Sequence, residues 1–344
     1  MHGGGARRAL RRSLAPSCDA AGRYDTVVPA AASPERGRPL PNVRVGTASW
    51  TDPSLVESGR FYPKEVTTPE ERLRYYATQF SFVEVDSTYY TAEFADQAVR
   101  WAKRTPDDFL FDVKAFRLLT LHQTPPTMLP REVREALGTP SAGKRNWYYR
   151  DLPDELRDGV WSTFEGSLAP LRAAGKLGAV VFQLPPWAMP GPEAEKHLLE
   201  SADRLDGYRL AVEFRNKYWL SDRNRRRTLA ALREAGIALV IVDEPQGFRS
   251  SVPPVWEVTD PALSVVRLHG RNAETWEKAG LKRASDRFNY LYSTAELREF
   301  IAPVRKIAQE AADVHVTFNN NYADYAQRNA AEFVRLFERD ERGG

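Results

Sequence analysis

Eight short runs of β-branched and aromatic residues, separated by stretches with helical periodicity, constrain the fold of this 344-residue chain more than any other feature. The runs lie at residues 43–45, 82–85, 109–113, 179–182, 210–214, 239–242, 263–266 and 314–318. Strands that alternate with helices pair in parallel, and eight such strands close a barrel. The sequence therefore predicts an α/β fold, a single (β/α)₈ TIM-type barrel over residues 42–338.

Signals at the ends of the intervening segments support helices between the strands. Thr68, Pro69 and Glu71 combine an N-cap, a first-position proline and a capping box. Residues 91–104 are predicted to form a second helix, which ends before a Thr-Pro pair. Ser221 is a candidate N-cap for a third.

Two connections, residues 124–161 and 245–261, are longer than the few residues expected between a strand and the following helix. Both follow the carboxyl end of a strand, where barrel enzymes build their active sites. We expect either lids over a site or plain insertions, because long loops cost little stability.

The two ends of the chain are predicted to lie outside the barrel. Residues 1–41 are rich in Gly, Ala, Arg, Ser and Pro and show no apolar periodicity, which predicts a disordered basic tail. Residues 339–344 are predicted to be a short C-terminal tail. The first tail has a net charge of +4 and the whole chain +3, so the remainder is nearly neutral. A nucleic-acid partner is therefore unlikely on charge alone.

Composition also bounds the compartment. No apolar run approaches the length of a membrane-spanning helix, and the first residues lack the apolar core of a secretory signal. Cys18 is the single cysteine, which excludes an intramolecular disulfide and a thiol-based metal cluster. We expect a cytoplasmic protein with no membrane partner, and the sequence leaves its oligomeric state open.

Polar residues interrupt the predicted strands at one end only. They are Glu84, Lys114, Gln183, Glu213, Arg215, Asp243, Arg267, His269, Asn319 and Asn320. Residues two apart on a strand share a face, so Glu213 projects with Arg215, and Arg267 with His269. Each alone also fits a structural ion pair or a satisfied core histidine. Since the loops after the strands form one ring, we expect these side chains to meet at the C-terminal mouth of the barrel.

An ordered series of motifs accompanies these residues. The series is Val43–Trp50 (VRVGTASW), Phe61–Pro63 (FYP), Val83–Tyr90 (VEVDSTYY), Val181–Pro186 (VFQLPP), Val212–Arg215 (VEFR), Arg267–Gly270 (RLHG) and Phe318–Asn320 (FNN). It resembles the YecE-like family, also called domain of unknown function 72, over residues 42–337. The resemblance implies a TIM-barrel fold and a polar pocket, but no established reaction. Asn321 departs from the pattern, which often continues with an acidic or other polar residue there.

The first functional hypothesis is an enzyme that uses acid–base chemistry, without a metal or cofactor, on a small anionic ligand that is phosphorylated or sugar-like. The expected catalytic residues are Glu213, His269 and Asp243. The expected substrate-binding residues are Lys114, Arg215, Arg267, Arg271, Gln183, Asn319, Asn320, Glu84, Tyr89, Trp50, His122 and Tyr290. The loops after strands seven and eight are expected to bind an oxyanion, with Gly270 allowing close backbone approach.

Two other classes of function stay open. A metal-dependent, nuclease-like barrel would use side chains from the set Glu84, His122, Glu213, Asp243 and His269 as ligands. Its metal would be opposed by the nearby cations, and no HxH or HExxH spacing occurs. A barrel that binds a ligand without turnover would use the same pocket, because a fold does not dictate a function.

Overall fold

A computed structural model describes residues 42–138 and 145–343 of the chain. The predicted basic tail, including Cys18, lies outside the described residues. Eight parallel strands follow one another around a closed barrel, and each pairs with its sequence neighbours, β8 closing on β1. The predicted (β/α)₈ barrel is confirmed.

The strands and helices alternate along the chain. The strands are β1 (Val43–Ala48), β2 (Phe82–Val85), β3 (Leu110–Lys114), β4 (Leu177–Gln183), β5 (Leu210–Glu213), β6 (Ala238–Asp243), β7 (Leu263–Leu268) and β8 (Asp313–Phe318). The helices are α1 (Pro53–Ser58), α2 (Pro69–Gln79), α3 (Ala95–Arg104), α4 (Arg131–Leu137), α5 (Asp154–Ala173), α6 (Pro192–Arg204), α7 (Arg225–Glu234), α8 (Thr294–Glu299), α9 (Ile301–Ala308) and α10 (Tyr325–Gly343). Among the described residues, no helix combines the length and apolar character needed to cross a membrane.

The start of α2 shows how local sequence sets these elements. Thr68 accepts a hydrogen bond from the backbone N–H of Glu71, whose carboxylate accepts one from the backbone N–H of Thr68 at 2.9 Å. This is the predicted capping box. One turn further along the helix, Tyr76 is buried against the barrel, and its hydroxyl accepts from the backbone N–H of Thr47 at 2.9 Å. The cap and the buried face together fix α2 on the outside of β1.

Three predicted element ends differ in the structure. The helix expected from residue 91 begins at Ala95, because a 3₁₀ turn, Ser87–Tyr90, occupies the connection after β2. The predicted cap at Ser221 was wrong: its hydroxyl donates to the carbonyl of Tyr218, and α7 begins at Arg225. The final helix continues past residue 338 to Gly343, so most of the expected C-terminal tail is helical.

The interior of the barrel is polar even far from its mouth. Asp112 on β3 and His315 on β8 are fully buried, and the imidazole Nδ1 lies 3.0 Å from both carboxylate oxygens. A Cβ at Gly178 would lie 2.3 Å from the Asp112 carboxylate, so the absence of a side chain on β4 makes room for this pair. The apolar core lies instead between the sheet and the helices, as the alternation of side chains along each strand requires.

Candidate functional site at the barrel mouth

Arg267 on β7 is the centre of the inner network, a set of hydrogen-bonded side chains inside the mouth of the barrel. Its side chain is fully buried. Nη2 donates to Glu84 Oε1 on β2 at 2.6 Å, and Nη1 donates to Glu213 on β5 and lies 3.4 Å from Gln183 Oε1 on β4. Burying an unpaired guanidinium would be very costly, so these carboxylates make its position possible.

Glu213 joins Arg267 to two further side chains. Arg215 Nη1 donates to Glu213 Oε1 at 3.1 Å, and His269 Nε2 lies 3.3 Å from the same oxygen. Burial by itself would raise the pKa of Glu213, but Arg267, His269 and Arg215 together hold it well below its ordinary value. Glu213 is therefore a permanently ionised carboxylate at neutral pH.

His269 is held by hydrogen bonding on one ring nitrogen and by packing on its faces. Asn319 Nδ2 lies 2.7 Å from His269 Nδ1, an assignment in which the neutral ring carries its proton on Nε2, toward Glu213. Burial lowers the pKa of His269 to about 4, although Glu213 opposes this shift. The imidazole is thus neutral near pH 7. The rings of Trp276 and Phe288 lie against it at centroid distances of 5.9 and 5.8 Å.

The inner network contains seven of the residues expected from the sequence. They are Glu84, Gln183, Glu213, Arg215, Arg267, His269 and Asn319. They come from β2, β4, β5, β7 and β8 or from the residues directly after those strands. Inward-facing side chains at the carboxyl ends of distant strands therefore meet in one place.

A second group of expected residues lies beside the network, on the connections after β2 and β3. Lys114 Nζ is 3.4 Å from Asp86 Oδ1 and 5.3 Å from the ring centroid of Tyr89. The ring of Tyr89 in turn contacts His122 edge to face, at 5.2 Å. Burial and, to a smaller extent, three cations of the mouth lower the pKa of His122 to about 3. Those cations are Lys114, Arg117 and Arg215.

Asp243 does not face the inner network. It pairs in register with Leu268, a core residue, whereas the neighbouring position on β6 pairs with Arg267. Its carboxylate receives three hydrogen bonds from Arg271, at 3.0–3.1 Å, and one from the hydroxyl of Tyr292 at 2.7 Å. With both oxygens occupied, Asp243 positions other side chains and does not fit the proton-transfer role expected of it.

Glu244 takes the inward position that was expected for Asp243. Its Oε2 is 3.6 Å from Arg215 Nη1, and its Oε1 accepts from the backbone N–H of Val252 at 2.7 Å. Burial raises the pKa of Glu244 to about 8, against the effect of Arg215. It also lines a cavity of about 380 Å³, whose other walls are Asp243, Pro245, Gln246, Pro254, Arg271 and Ala273.

Arg271, Tyr290 and Asn320 belong to a separate outer network between β6, β7 and the helices that follow. Arg271 Nη1 lies 3.5 Å from Glu296 Oε1, which also accepts from the Tyr290 hydroxyl. Asn320 Nδ2 donates to the carbonyl of Tyr290 and to Asn329 Oδ1, both at 2.8 Å. These contacts tie the loops after β7 and β8 to α8 and α10, so they stabilise the rim.

The loops after β7 and β8 do not present the donors expected for an oxyanion. Gly270 has φ 86°, as expected for glycine, but its N–H donates to the hydroxyl of Tyr292 at 2.8 Å. Asn272 Nδ2 donates to the carbonyl of Asn289 at 3.0 Å. Arg267 and Arg271 are each paired with carboxylates. An anion would have to displace these partners to bind here.

Trp50 packs away from the mouth, between the sheet and α3. Its ring meets Trp101 at 5.7 Å and Phe111 at 6.4 Å, both edge to face. The expected role of Trp50 as a wall of the pocket is therefore corrected to one in the core. The sequence places an aromatic residue just after β1 but does not say which side of the sheet it faces.

The loop over residues 269–293 covers the inner network and was not among the predicted lids. Its Trp276 and Phe288 pack on the His269 ring, and the guanidinium of Arg215 lies 4.6 Å from the Trp276 centroid. A latch joins this loop to the connection after β6: the backbone N–H and the hydroxyl of Ser250 both donate to Glu277, at 3.1 and 2.8 Å. The site is closed in this conformation.

Within residues 42–138 and 145–343, no group of three or more His, Cys, Asp or Glu side chains is placed to hold a metal ion. The position between Glu84 and Glu213, where two carboxylates approach each other, is taken by the Arg267 guanidinium. A positive charge already fixed between two carboxylates opposes the binding of a second.

Comparison with known proteins places these features in a family. The chain is 29% identical over 298 residues to UPF0759 protein YunF of Bacillus subtilis (strain 168), which covers 86% of this chain and 95% of YunF. Two solved structures of DUF72 family proteins are each 27% identical to it and cover 86% of it. EF0366 of Enterococcus faecalis V583 is covered over 95% of its chain with a TM-score of 0.69, and TM1631 of Thermotoga maritima MSB8 over 99% with 0.65.

The match extends over the whole barrel. A family model described as "Protein of unknown function DUF72" matches residues 44–343, from β1 to the end of α10. The resemblance inferred from the ordered motifs is thereby confirmed, and this chain belongs to the DUF72 family.

Proposed function

We propose that this protein is an enzyme that uses acid–base chemistry on a small anionic substrate, phosphorylated or sugar-like, at the C-terminal mouth of its barrel. The observation that carries the proposal is the buried His269, whose Nε2 lies 3.3 Å from Glu213 Oε1 in a polar network. Burial lowers the pKa of His269, and the surrounding cations hold the pKa of Glu213 down, which favours a neutral imidazole beside a carboxylate. A neutral imidazole and a carboxylate in contact are groups that exchange protons with a substrate. No metal is needed, since Arg267 supplies the fixed positive charge.

The two members of the pair have different roles. Glu213 is a weak base because its pKa is depressed, so it stabilises positive charge on its neighbours and orients them. His269 carries the exchangeable proton on Nε2, as the hydrogen bond from Asn319 to Nδ1 requires. A neutral imidazole that donates from one nitrogen can polarise a carbonyl or hydroxyl oxygen of a substrate.

Lys114 and Arg215 are the cations best placed to attract the anion. Both contribute positive potential at His122, which lies next to them in the mouth. Arg267 and Arg271 contribute less, because Arg267 is fully buried between Glu84 and Glu213, and Arg271 is bound to three carboxylates of the outer network. This assignment moves the anion from the loops after β7 and β8 to the opposite side of the mouth.

Thermal unfolding in the presence of inorganic phosphate, sulfate and a panel of sugar phosphates tests the anion site. At least one of these anions should raise the melting temperature of the wild type, and Lys114→Met and Arg215→Met should reduce the increase. Arg233→Met is the matched control, since it removes an equal charge from the surface of α7, where Arg233 pairs with Glu257. If no anion stabilises the wild type, or if the control loses as much as the other two variants, the anion site is wrong.

Turnover of a substrate found by screening tests the acid–base roles. His269→Asn should lower kcat by roughly 10² or more, the usual contribution of a general acid or base, and Glu213→Gln should also lower kcat because it removes the charge that orients His269, while ligand-induced stabilisation persists. Asp243→Asn should have a much smaller effect, because Asp243 faces the outer network. Full activity in both of the first two variants would assign the pair a structural role.

A further inference from the structure

A second carboxyl pair lies on the other side of Arg267 and is not used by the chemistry above. Glu84 and Asp86 are two residues apart at the end of β2, so both point into the barrel. Glu84 is completely buried, whereas the Asp86 side chain is 28% exposed. Arg267 bonds Glu84 Oε1, which leaves Glu84 Oε2 buried without a hydrogen bond; Asp86 Oδ1 is also buried without one, although Lys114 Nζ lies 3.4 Å away.

The two carboxyl groups share one face at the end of the strand, and each is close enough to shift the pKa of the other. Two ionised carboxylates this close repel each other, and one proton between them would remove the repulsion and give both unpartnered oxygens a hydrogen bond. We propose that Glu84 and Asp86 share a single proton and form a second proton-exchange unit of the site, in which Asp86 connects the buried Glu84 to the mouth. Because it holds one proton for two groups, the unit can either accept or donate one.

A bound cation is the other way to join two unpartnered carboxylate oxygens, and the surroundings oppose it. Lys114 Nζ lies 3.4 Å from Asp86 Oδ1, and Arg267 Nη2 lies 2.6 Å from Glu84 Oε1. A divalent metal would add two further positive charges beside these cations, whereas a proton adds one. A proton needs neither additional ligands nor additional space.

The charges around Glu84 decide which group keeps the proton. The charged or titratable side chains nearest to it are Asp86 on its own strand, Arg267 from β7, Lys114 and Asp112 from β3, Glu213 beyond Arg267 from β5, and His315 beside Asp112 from β8. Burial raises the pKa of Glu84 to about 8, opposed by Arg267 and reinforced by Asp86. Burial would also raise the pKa of Asp86, but Lys114 and Arg267 lower it below its ordinary value.

This inference deepens the proposed function and rests on it for its catalytic meaning. A row of contacts runs from His269 through Glu213 and Arg267 to Glu84. His269 therefore lies at one end of this row and the Glu84–Asp86 pair at the other. A substrate in the mouth can therefore lose a proton to Asp86 and be polarised by His269, or receive the proton held by Glu84. Two such units favour reactions that move a proton within the substrate, as in isomerisation or elimination.

Infrared difference spectroscopy on the full-length protein, without substrate, tests the shared proton. The spectrum is followed from about two pH units below to two above the pKa of Glu84, which burial raises to about 8. At that pH half of the Glu84 carboxyl groups have lost their proton. A protonated carboxylic acid has a carbonyl band distinct from those of carboxylates. Glu244 also titrates near this pH, so all measurements use Glu244→Gln as the background.

In that background, the acid band should persist at neutral pH and disappear with a midpoint near 8. Adding Glu84→Gln should remove it. Adding Asp86→Asn should retain it but lower its midpoint by about one pKa unit or more, because a negative neighbour that favours the protonated form has gone. The matched control is Glu257→Gln, a surface carboxylate that pairs with Arg233 of α7, which should change neither the band nor its midpoint.

Two results would overturn the proposal: a band that survives Glu84→Gln, or a midpoint that Asp86→Asn does not move. If Glu84→Gln fails to fold, as judged by circular dichroism, the midpoint in the Asp86→Asn variant decides alone, since Asp86 is partly exposed and its substitution is milder. The measurement involves no substrate and no anion. Failure of the proposed function would leave its outcome unchanged, and the reverse also holds.

Discussion

Arg267 and Arg271 lie four residues apart at the end of β7, and both bond carboxylates, yet they belong to different kinds of network. Arg271 uses Nε, Nη1 and Nη2 on Asp243, Glu296 and Glu299, with its side chain 30% exposed. Arg267 is fully buried, and its Nε has no hydrogen-bond partner. The outer network leaves Asn320 Oδ1 without a hydrogen-bond partner, whereas the inner network leaves atoms of Arg267, Glu84 and His269 without one.

The same contrast extends to the neighbours of each arginine. Beside the inner network, Thr317 on β8 is in register with Arg267, and its buried Oγ1 has no partner. Within the network, His269 Nε2 lies 3.3 Å from Glu213 without hydrogen-bond geometry. Buried polar atoms are normally satisfied, so the unsatisfied ones at the mouth support the proposal that a ligand binds there. On that proposal the outer network stabilises the rim and the inner network carries the chemistry.

Removing the central arginine should have the largest effect. Arg267→Met leaves Glu84 and Glu213 buried without their cation and should lower the free energy of unfolding by about 3–5 kcal/mol, the cost of breaking a buried ion pair. Urea denaturation measures the loss, and Arg267→Lys, which keeps the charge, should recover part of it. A loss below about 1 kcal/mol, the level of an exposed pair, would show that the buried ion pairs of Arg267 stabilise the fold no more than an ion pair on the surface does.

The next effect is a pH dependence in the inner network. The folded pKa of His269, about 4, lies below its ordinary value of 6.5, so the folded state binds fewer protons than the unfolded state between these values. Its contribution to stability is complete above pH 6.5 and is lost as the pH falls toward 4, by an amount on the order of 3 kcal/mol. The difference in unfolding free energy between wild type and His269→Asn should therefore shrink over this range. A difference independent of pH would mean that the imidazole is not buried in its neutral form.

An intermediate effect is expected in the outer network. Arg271→Met removes hydrogen bonds to the largely buried Asp243, so the loss should be about 1.5–3 kcal/mol, the range for bonds to a charged group. Anion-induced stabilisation should be unchanged, which separates this variant from Arg215→Met. A loss of anion binding equal to that in Arg215→Met would show that the outer network takes part in anion binding as much as the inner network does.

The smallest effect is expected at the exposed edge of the outer network. Glu299 lies 2.9 Å from Arg271 Nη2, but its side chain is 56% exposed. Glu299→Gln should change the unfolding free energy by less than about 1 kcal/mol, and by less still at high salt, because water and ions screen such pairs. A larger change in the unfolding free energy, measured by urea denaturation, would show that the exposed Glu299–Arg271 pair also stabilises the fold.

Strand alternation predicted most of the inner network, since Glu213 with Arg215 and Arg267 with His269 occupy the expected face. It failed on β6, where Asp243 and Glu244 are adjacent and both acidic, so the residue pattern does not say which one faces inward. Only the pairing of Asp243 with Leu268 decides this. Trp276 and Phe288 were missed for a related reason: no periodic pattern marks a loop residue that returns to the barrel.

The loop that carries Trp276 also sets a condition on access. Because Trp276 and Phe288 pack against the His269 ring and Ser250 is hydrogen-bonded to Glu277 of the same loop, the proposed function requires this loop to open before a substrate reaches the imidazole. The apparent affinity for any ligand is then the intrinsic affinity multiplied by the fraction of molecules in which the loop is open. Weakening the hydrogen bonds between Ser250 and Glu277 would therefore tighten apparent binding and hasten exchange, while leaving every proposed catalytic side chain in place.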